Sequence, residues 1–168
     1  MVKWTFEDDC LAPRGQIKIE YRGKDPFGMF LKAKPIIQRI FEIETKDFWE
    51  RDFRWDMTSD PRSFYIRTYA NKGVDFRSSI LGEIIYQGLQ PADPDKDGSM
   101  IILISAKLKT EFNFLTPIQK LPFYRGLIRL YNFVFYNRVR RNYLYVCNQL
   151  IEKLSDEFRR NLNVLNAK

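Results

Sequence analysis

Residues 124–165 read YRGLIRLYNFVFYNRVRRNYLYVCNQLIEKLSDEFRRNLNVL, and this stretch decides the fold. Its apolar side chains recur at intervals of three and four, which predicts one amphipathic helix over residues 123–166. At 1.5 Å per residue the unbroken helix would be roughly 60 Å long. A helix of that length exceeds any compact sheet, so we expect it to bend or to project toward a partner or a second copy. The stripe predicted to face the core comprises Leu127, Tyr131, Val134, Phe135, Val139, Tyr143, Val146, Leu150, Leu154, Phe158 and Leu162.

The residues that precede this helix alternate between apolar and polar, which is typical of β-strands with one buried face. The alternation predicts strands at residues 16–22, 48–57, 63–72, 75–89 and 99–114, with a further short strand at 2–6. In the strand at 75–89 the inner row is predicted to be Phe76, Ser78, Ile80, Gly82, Ile84 and Tyr86.

A helical segment separates the strand at 16–22 from the later strands. Asp25 followed by Pro26 predicts the start of this helix, because Asp accepts free backbone N–H groups and proline at the first helical position loses no needed donor. Pro35 lies inside the segment and predicts either two short helices or one kinked helix.

Together these elements predict an α+β fold in a single domain over residues 1–168. The N-terminal segment is 1–14, and a curved antiparallel sheet of five to six strands follows. A kinked helix or helix pair comes after an early strand, and the helix at 123–166 lies across the concave face. This order resembles the helix-grip fold of the START-related and birch-pollen-allergen superfamily in topology alone. The resemblance implies a cavity between sheet and terminal helix that holds an apolar ligand.

Composition excludes several classes of function. The chain has no histidine, which removes the commonest general base and metal ligand. No catalytic motif, metal site or cofactor is predicted, so we expect a protein that is not an enzyme. Cys10 and Cys147 suggest neither a disulfide framework nor a metal pair, and no apolar run is long enough to span a bilayer. We therefore expect a cytoplasmic protein.

The first functional hypothesis is a binding protein for an apolar small molecule or lipid. Arg51 falls on the apolar side of its strand, where a guanidinium would need an anionic partner. The alternative is a register slip or β-bulge that leaves Arg51 at the sheet edge, or a salt bridge within the domain. The predicted pocket comprises Arg51, Trp55, Phe64, Ile80, Ile84, Tyr86, Tyr131 and Phe135.

The second hypothesis is a nucleic-acid or ribonucleoprotein-binding module. Aromatic rings interleaved with cations are used to bind single-stranded nucleic acid. Such a face is predicted from Tyr65, Arg67, Tyr69, Arg77, Lys107 and Lys109, and a second anion-binding surface, for nucleic acid or an anionic membrane, from Arg138, Arg140 and Arg141. Simple cross-strand pairing is the alternative for the sheet face.

Charge and length suggest a third hypothesis, in which the long helix forms a homodimer. From residue 123 onward the chain has nine basic and three acidic residues, a net charge of +6 out of +7 in total. The sequence DPDKDG at 93–98 resembles the start of a calcium loop, but the twelfth position is Ile104 instead of an acid. We interpret it as a hairpin turn.

Overall fold

The computed structural model describes residues 2–114 and 121–166. The strands are β1 (Val2–Asp9), β2 (Ile17–Gly23), β3 (Phe48–Trp55), β4 (Arg62–Gly73), β5 (Ser78–Gln90) and β6 (Gly98–Phe114). The helices are α1 (Pro26–Phe41), α2 (Pro122–Tyr131) and α3 (Asn137–Asn166), with a π-helical turn at Asn132–Tyr136 between α2 and α3. The predicted α+β class is confirmed.

The six strands form one open antiparallel sheet in the order β1-β6-β5-β4-β3. Strand β2 also pairs with β6, so β1 and β2 follow one another along the same edge of that strand. The segment at 2–6 thus belongs to the sheet, and it pairs Val2 with Phe114 at one end. The turn between β5 and β6 contains residues 93–97, where the Asp95 N–H donates to Asp93 Oδ1 at 3.0 Å, as in the predicted hairpin turn, and Gly98 begins β6.

Helix α1 covers part of the inner face of the sheet. Its Asp25 cap is confirmed, because the Gly28 N–H donates to Asp25 Oδ1 at 3.2 Å. The helix continues through Pro35 as one element and does not divide into two. Phe41 is fully buried against β5, where a Cβ added at Gly82 would lie 3.0 Å from the Phe41 ring. A larger residue at position 82 would therefore collide with α1.

The second half of α3 packs beside α1 on the inner face. Ile151, Leu154 and Phe158 are fully buried and join the core cluster with residues of the sheet and α1. The Phe158 ring lies 6.2 Å from the ring of Tyr86 on β5. No helix in residues 2–114 or 121–166 is both long and apolar enough to cross a membrane.

A disulfide joins Cys10, just after β1, to Cys147 on α3. The two cysteines indicated no disulfide framework in the sequence, yet they are bonded to each other in the fold. Both residues are buried, and Asn148 Nδ2 donates to the Cys10 carbonyl at 3.3 Å. Their sequence separation of 137 conceals this proximity, because only the docking of α3 on the sheet brings the pair together.

The start of β5 also differs from the prediction. Phe76 was assigned to the inner row, but its side chain is 87% exposed. The strand begins only at Ser78, since the Asp75 carboxylate accepts the backbone N–H groups of Arg77 and Ser78 at 2.7 and 2.6 Å and forms a turn there. Phe76 therefore lies in this turn and points away from the core.

Candidate functional site

The residues of the predicted pocket do not come together. Ile80, Ile84 and Tyr86 are fully buried, and Phe64 is nearly so. Rings of the protein occupy the space beside them. The Tyr86 ring lies 5.5 Å from Phe30, and burial raises its pKa. The predicted interior cavity is filled at these positions by α1 and α3.

Trp55, Tyr131 and Phe135 of the predicted pocket are partly or largely exposed. Trp55 and Phe64 border an open cleft of about 750 Å³ at the end of the sheet, together with Arg54 and Leu89. Tyr131 and Phe135 were expected to face the core, but they are 46% and 66% exposed. Leu127, Val134, Val139 and Val146 of the same stripe are exposed as well, so the predicted core stripe is wrong over the first half of the helix and confirmed as buried only at Leu154, Phe158 and Leu162.

Arg51 lies on the outer face of the sheet, opposite the helices. The pairing of β3 with β4 shifts register between Glu50 and Asp52, which leaves Arg51 as the extra residue of a bulge. Side chains change face across this irregularity, so Trp49 stacks on Tyr69 of the outer face at 5.7 Å. The bulge alternative for Arg51 is confirmed.

The predicted Tyr/Arg face forms in part, but acids neutralise its cations. Tyr65, Arg67 and Tyr69 share the outer face, and the Arg67 guanidinium lies 3.6 Å from Asp52 and 3.5 Å from Glu83. Lys107 and Lys109 lie 3.7 and 3.2 Å from the carboxylates of Glu7 and Glu111. These are cross-strand and neighbouring pairs, as the alternative interpretation expected.

Arg77 does not belong to this face. Its guanidinium lies 4.8 Å from the centre of the Phe112 ring, and Phe112 is an inner-face residue that is 4% exposed. The prediction is wrong because the turn at Asp75 ends the alternation on which it depended.

The most exposed apolar surface of the described chain lies on the first half of the terminal helix. We call residues 121–146 the basic aromatic segment. Of eighteen large apolar side chains exposed in the described chain, eleven belong to this segment. They are Leu121, Phe123, Leu127, Leu130, Tyr131, Phe133, Val134, Phe135, Val139, Tyr145 and Val146. Monomeric soluble proteins rarely expose a contiguous apolar patch of such size without a partner.

The basic aromatic segment also lacks negative charge. The forty residues 112–151 contain no Asp or Glu and include six basic residues. Arg140 is bound to the body of the protein, because its guanidinium lies 2.8 Å from Asp8 on β1. Arg138 and Arg141 are exposed and form no ion pair within the described residues. Two of the three predicted basic helix residues are thus available at the surface.

The π-helical turn holds this segment to the sheet. The Tyr136 side chain is buried at the turn and bonds to the Ser78 hydroxyl, and its own hydroxyl donates to Asp75 Oδ2 at 3.0 Å. Burial alone would raise the pKa of Asp75, but hydrogen bonds from the Arg77 and Ser78 N–H groups and from Tyr136 and Tyr143 outweigh it and hold that pKa below the ordinary range. Asp75 is therefore a charged acceptor that fixes the helix at this point.

Inward anchoring of Tyr136 leaves its neighbours outside. Phe133 and Phe135 are 78% and 66% exposed, whereas Tyr136 is 7% exposed. A π-helical turn widens the helix by one residue, so it displaces the stripe that a regular helix would direct at the sheet. Nearer the start of the segment, the Arg129 guanidinium lies 6.0 Å from the centre of the ring of Trp4 on β1. The segment is thus attached to the body through Arg129, Tyr136 and Arg140, while its apolar side chains, Phe133 and Phe135 among them, remain exposed.

Comparisons with known proteins add no function. No protein-family model matches the chain, and no curated protein is significantly similar to it. A solved structure of a protein of unknown function from Staphylococcus aureus is similar at 6% identity and a TM-score of 0.30, over 91% of this chain and 97% of that one. An uncharacterised protein from Rhizobium leguminosarum is similar at 10% identity and a TM-score of 0.19, over 93% and 99% of the two chains. Similarities this low support no argument about fold or function.

Proposed function

We propose that this chain is a non-catalytic binding protein that attaches to anionic membrane surfaces through the basic aromatic segment. The observation that carries the proposal is the combination of eleven exposed apolar side chains with a stretch that has no carboxylate. Helices of this composition lie in the membrane interface, with apolar side chains inserted and cations at the lipid phosphates. Each Lys or Arg near an anionic bilayer contributes about 1 kcal/mol.

A second copy of the chain fits the segment less well than a bilayer does. A symmetric dimer through this surface would bring the arginines of both copies together, and the segment supplies no carboxylate to neutralise them. Anionic lipid phosphates provide the missing negative charge.

Nucleic acid also fits less well. Phosphates could bind Arg138 and Arg141 and bases could stack on the exposed rings, but the aliphatic side chains of the segment would gain little from a nucleic acid. They include Leu127, Leu130, Val134 and Val139. The outer face, where Tyr65 and Tyr69 could stack on bases, already pairs its Arg67 with acids. A lipid remains the expected partner, at the protein surface and not inside the fold.

The proposal is tested by cosedimentation with vesicles of phosphatidylcholine alone and of phosphatidylcholine mixed with phosphatidylglycerol. We expect binding to the mixed vesicles that weakens as salt rises, because salt screens attraction between exposed charges. Replacing Arg138 and Arg141 by Gln should weaken binding roughly tenfold or more, from the loss of about 2 kcal/mol. Replacing Arg159 and Arg160, at the far end of the same helix, should have little effect.

Three results would count against attachment to anionic membranes. They are equal binding to both vesicle types, binding to single-stranded RNA without binding to vesicles, and a dimer in sedimentation that leaves no vesicle-binding fraction. The first would leave the arginines without a part in binding, the second points to nucleic acid, and the third points to a homodimer.

A cytoplasmic location is a separate proposal. The cytoplasmic leaflet carries anionic lipid, which supports this location. A disulfide, however, normally persists in oxidising compartments. The oxidation state of Cys10 and Cys147 in cells therefore decides between the cytoplasm and an oxidising compartment.

A further inference from the structure

A recess of about 270 Å³ indents the outer face of the sheet, opposite the helices. Five neighbouring strands contribute to it. Its lining includes Glu7 of β1, Arg51 of β3, Tyr69 of β4, Leu81 of β5, and Lys107 and Lys109 of β6. Side chains from five strands of a twisted sheet thus converge on one recess, and the sheet holds them on a rigid scaffold.

Arg51 reaches this recess because of the bulge in β3. The register shift between Glu50 and Asp52 leaves Arg51 unpaired in the ladder and directs it to the outer face. Bulges often redirect a side chain in this way beside a binding site. Among the described residues the Arg51 side chain forms no ion pair and no hydrogen bond. The nearby Arg67 side chain, in contrast, is paired with Asp52 and Glu83.

One cation of the recess is available to bind an anionic ligand. Its carboxylates already have partners, since Glu83 accepts the Tyr69 hydroxyl at 2.9 Å and Glu7 lies 3.7 Å from Lys107. Lys109 is 3.2 Å from Glu111. Arg51 is therefore the cation of the recess whose charge is not balanced by the protein.

Apolar surface lies beside that cation. Leu81 and the Tyr69 ring both line the recess, and Tyr69 is held in place by stacking on Trp49 and by its bond to Glu83. A ring of fixed orientation next to a free guanidinium provides both parts of a site for an aromatic anion.

We propose that this recess binds a small anion carried on a planar ring, anchored by Arg51. The planar guanidinium donates two parallel hydrogen bonds to a carboxylate or phosphate, and the ring of the ligand lies against Tyr69 and Leu81. The inference is independent of membrane binding, because it uses neither the basic aromatic segment nor any residue of α2 and α3.

The test is an amide NMR titration of the whole protein with benzoate and with phenyl phosphate, which separates a carboxylate ligand from a phosphate ligand. Benzamide serves as the neutral ring of nearly the same shape. We expect saturable shift changes at Tyr69, Leu81 and Ser105 with at least one of the anions, and none with benzamide. Arg51→Gln should weaken that binding roughly tenfold through the loss of a charge-assisted pair.

Arg54→Gln is the matched control, since Arg54 lies three residues farther along β3 and borders the other cleft. It should leave the affinity of the recess unchanged. The proposal is overturned if neither anion produces saturable changes, if benzamide binds as well as the anions, or if both arginine variants weaken binding equally. Shift changes confined to residues outside the recess would overturn it too.

Discussion

Replacing Phe133 and Phe135 together by Ser should lower the partition of the protein onto anionic vesicles roughly a hundredfold. Burial of an exposed phenyl group stabilises by about 1.5–3 kcal/mol, so the loss of two costs about 3 kcal/mol or more. Both side chains point away from the body, at 78% and 66% exposure, so the free energy of unfolding should barely change. Vesicle cosedimentation and a denaturant titration measure the two effects separately.

The control for this variant removes equally exposed apolar side chains elsewhere. Leu31 on α1 and Met57 after β3 are 66% and 71% exposed. Their double replacement by Ser should leave vesicle binding within about twofold of the original, because neither belongs to the basic aromatic segment. If both double variants lose binding to the same extent, the segment has no special part in it.

Replacing Cys10 and Cys147 by Ser should lower the free energy of unfolding by about 2–5 kcal/mol. The bond closes a loop with a sequence separation of 137 residues, and long loops restrict the unfolded chain most. Guanidinium titration of the original protein with and without reductant should reproduce the difference. Reductant should not affect the double variant, and equal stability of the two proteins would show that the bond contributes nothing.

The same cysteines report the compartment. Because both cysteines are buried in the fold, the cells are lysed in denaturant together with an alkylating reagent, and the thiols that react show whether the pair was reduced in the cell. A cytoplasmic protein should carry the reagent on both Cys10 and Cys147. Protection of both would assign the chain to an oxidising compartment and would contradict the cytoplasmic prediction.

Sequence periodicity was sufficient for the fold because each element has a local signature. The Asp25-Pro26 start of α1, the alternating strands and the helical stripe all depend on neighbouring residues in the chain. The sequence predicts a strand at residues 2–6 but not its place in the sheet, since a short alternating segment does not indicate its partner strand.

The candidate sites were less predictable than the fold, because they depend on which surfaces of distant elements pack together. Tyr131 and Phe135 lie on the predicted apolar stripe, but the π-helical turn and the inward anchoring of Tyr136 leave them outside the core. An arginine on the apolar side of its strand suggested the bulge at residue 51, but the sequence does not show which side chains Arg51 meets on the outer face. The absence of acids from residues 112–151, in contrast, is visible in the sequence and could have indicated the basic aromatic segment.

The most direct measurement of membrane attachment uses a nitrile probe, with 4-cyanophenylalanine in place of Phe133 and, separately, of Phe53. Both positions are exposed in the free protein, at 78% and 53%. When the protein binds anionic vesicles, we predict that the nitrile at 133 moves from a water-like to a hydrocarbon-like frequency while the one at 53 stays water-like. A nitrile at 133 that remains hydrated on vesicle-bound protein would contradict insertion of the basic aromatic segment.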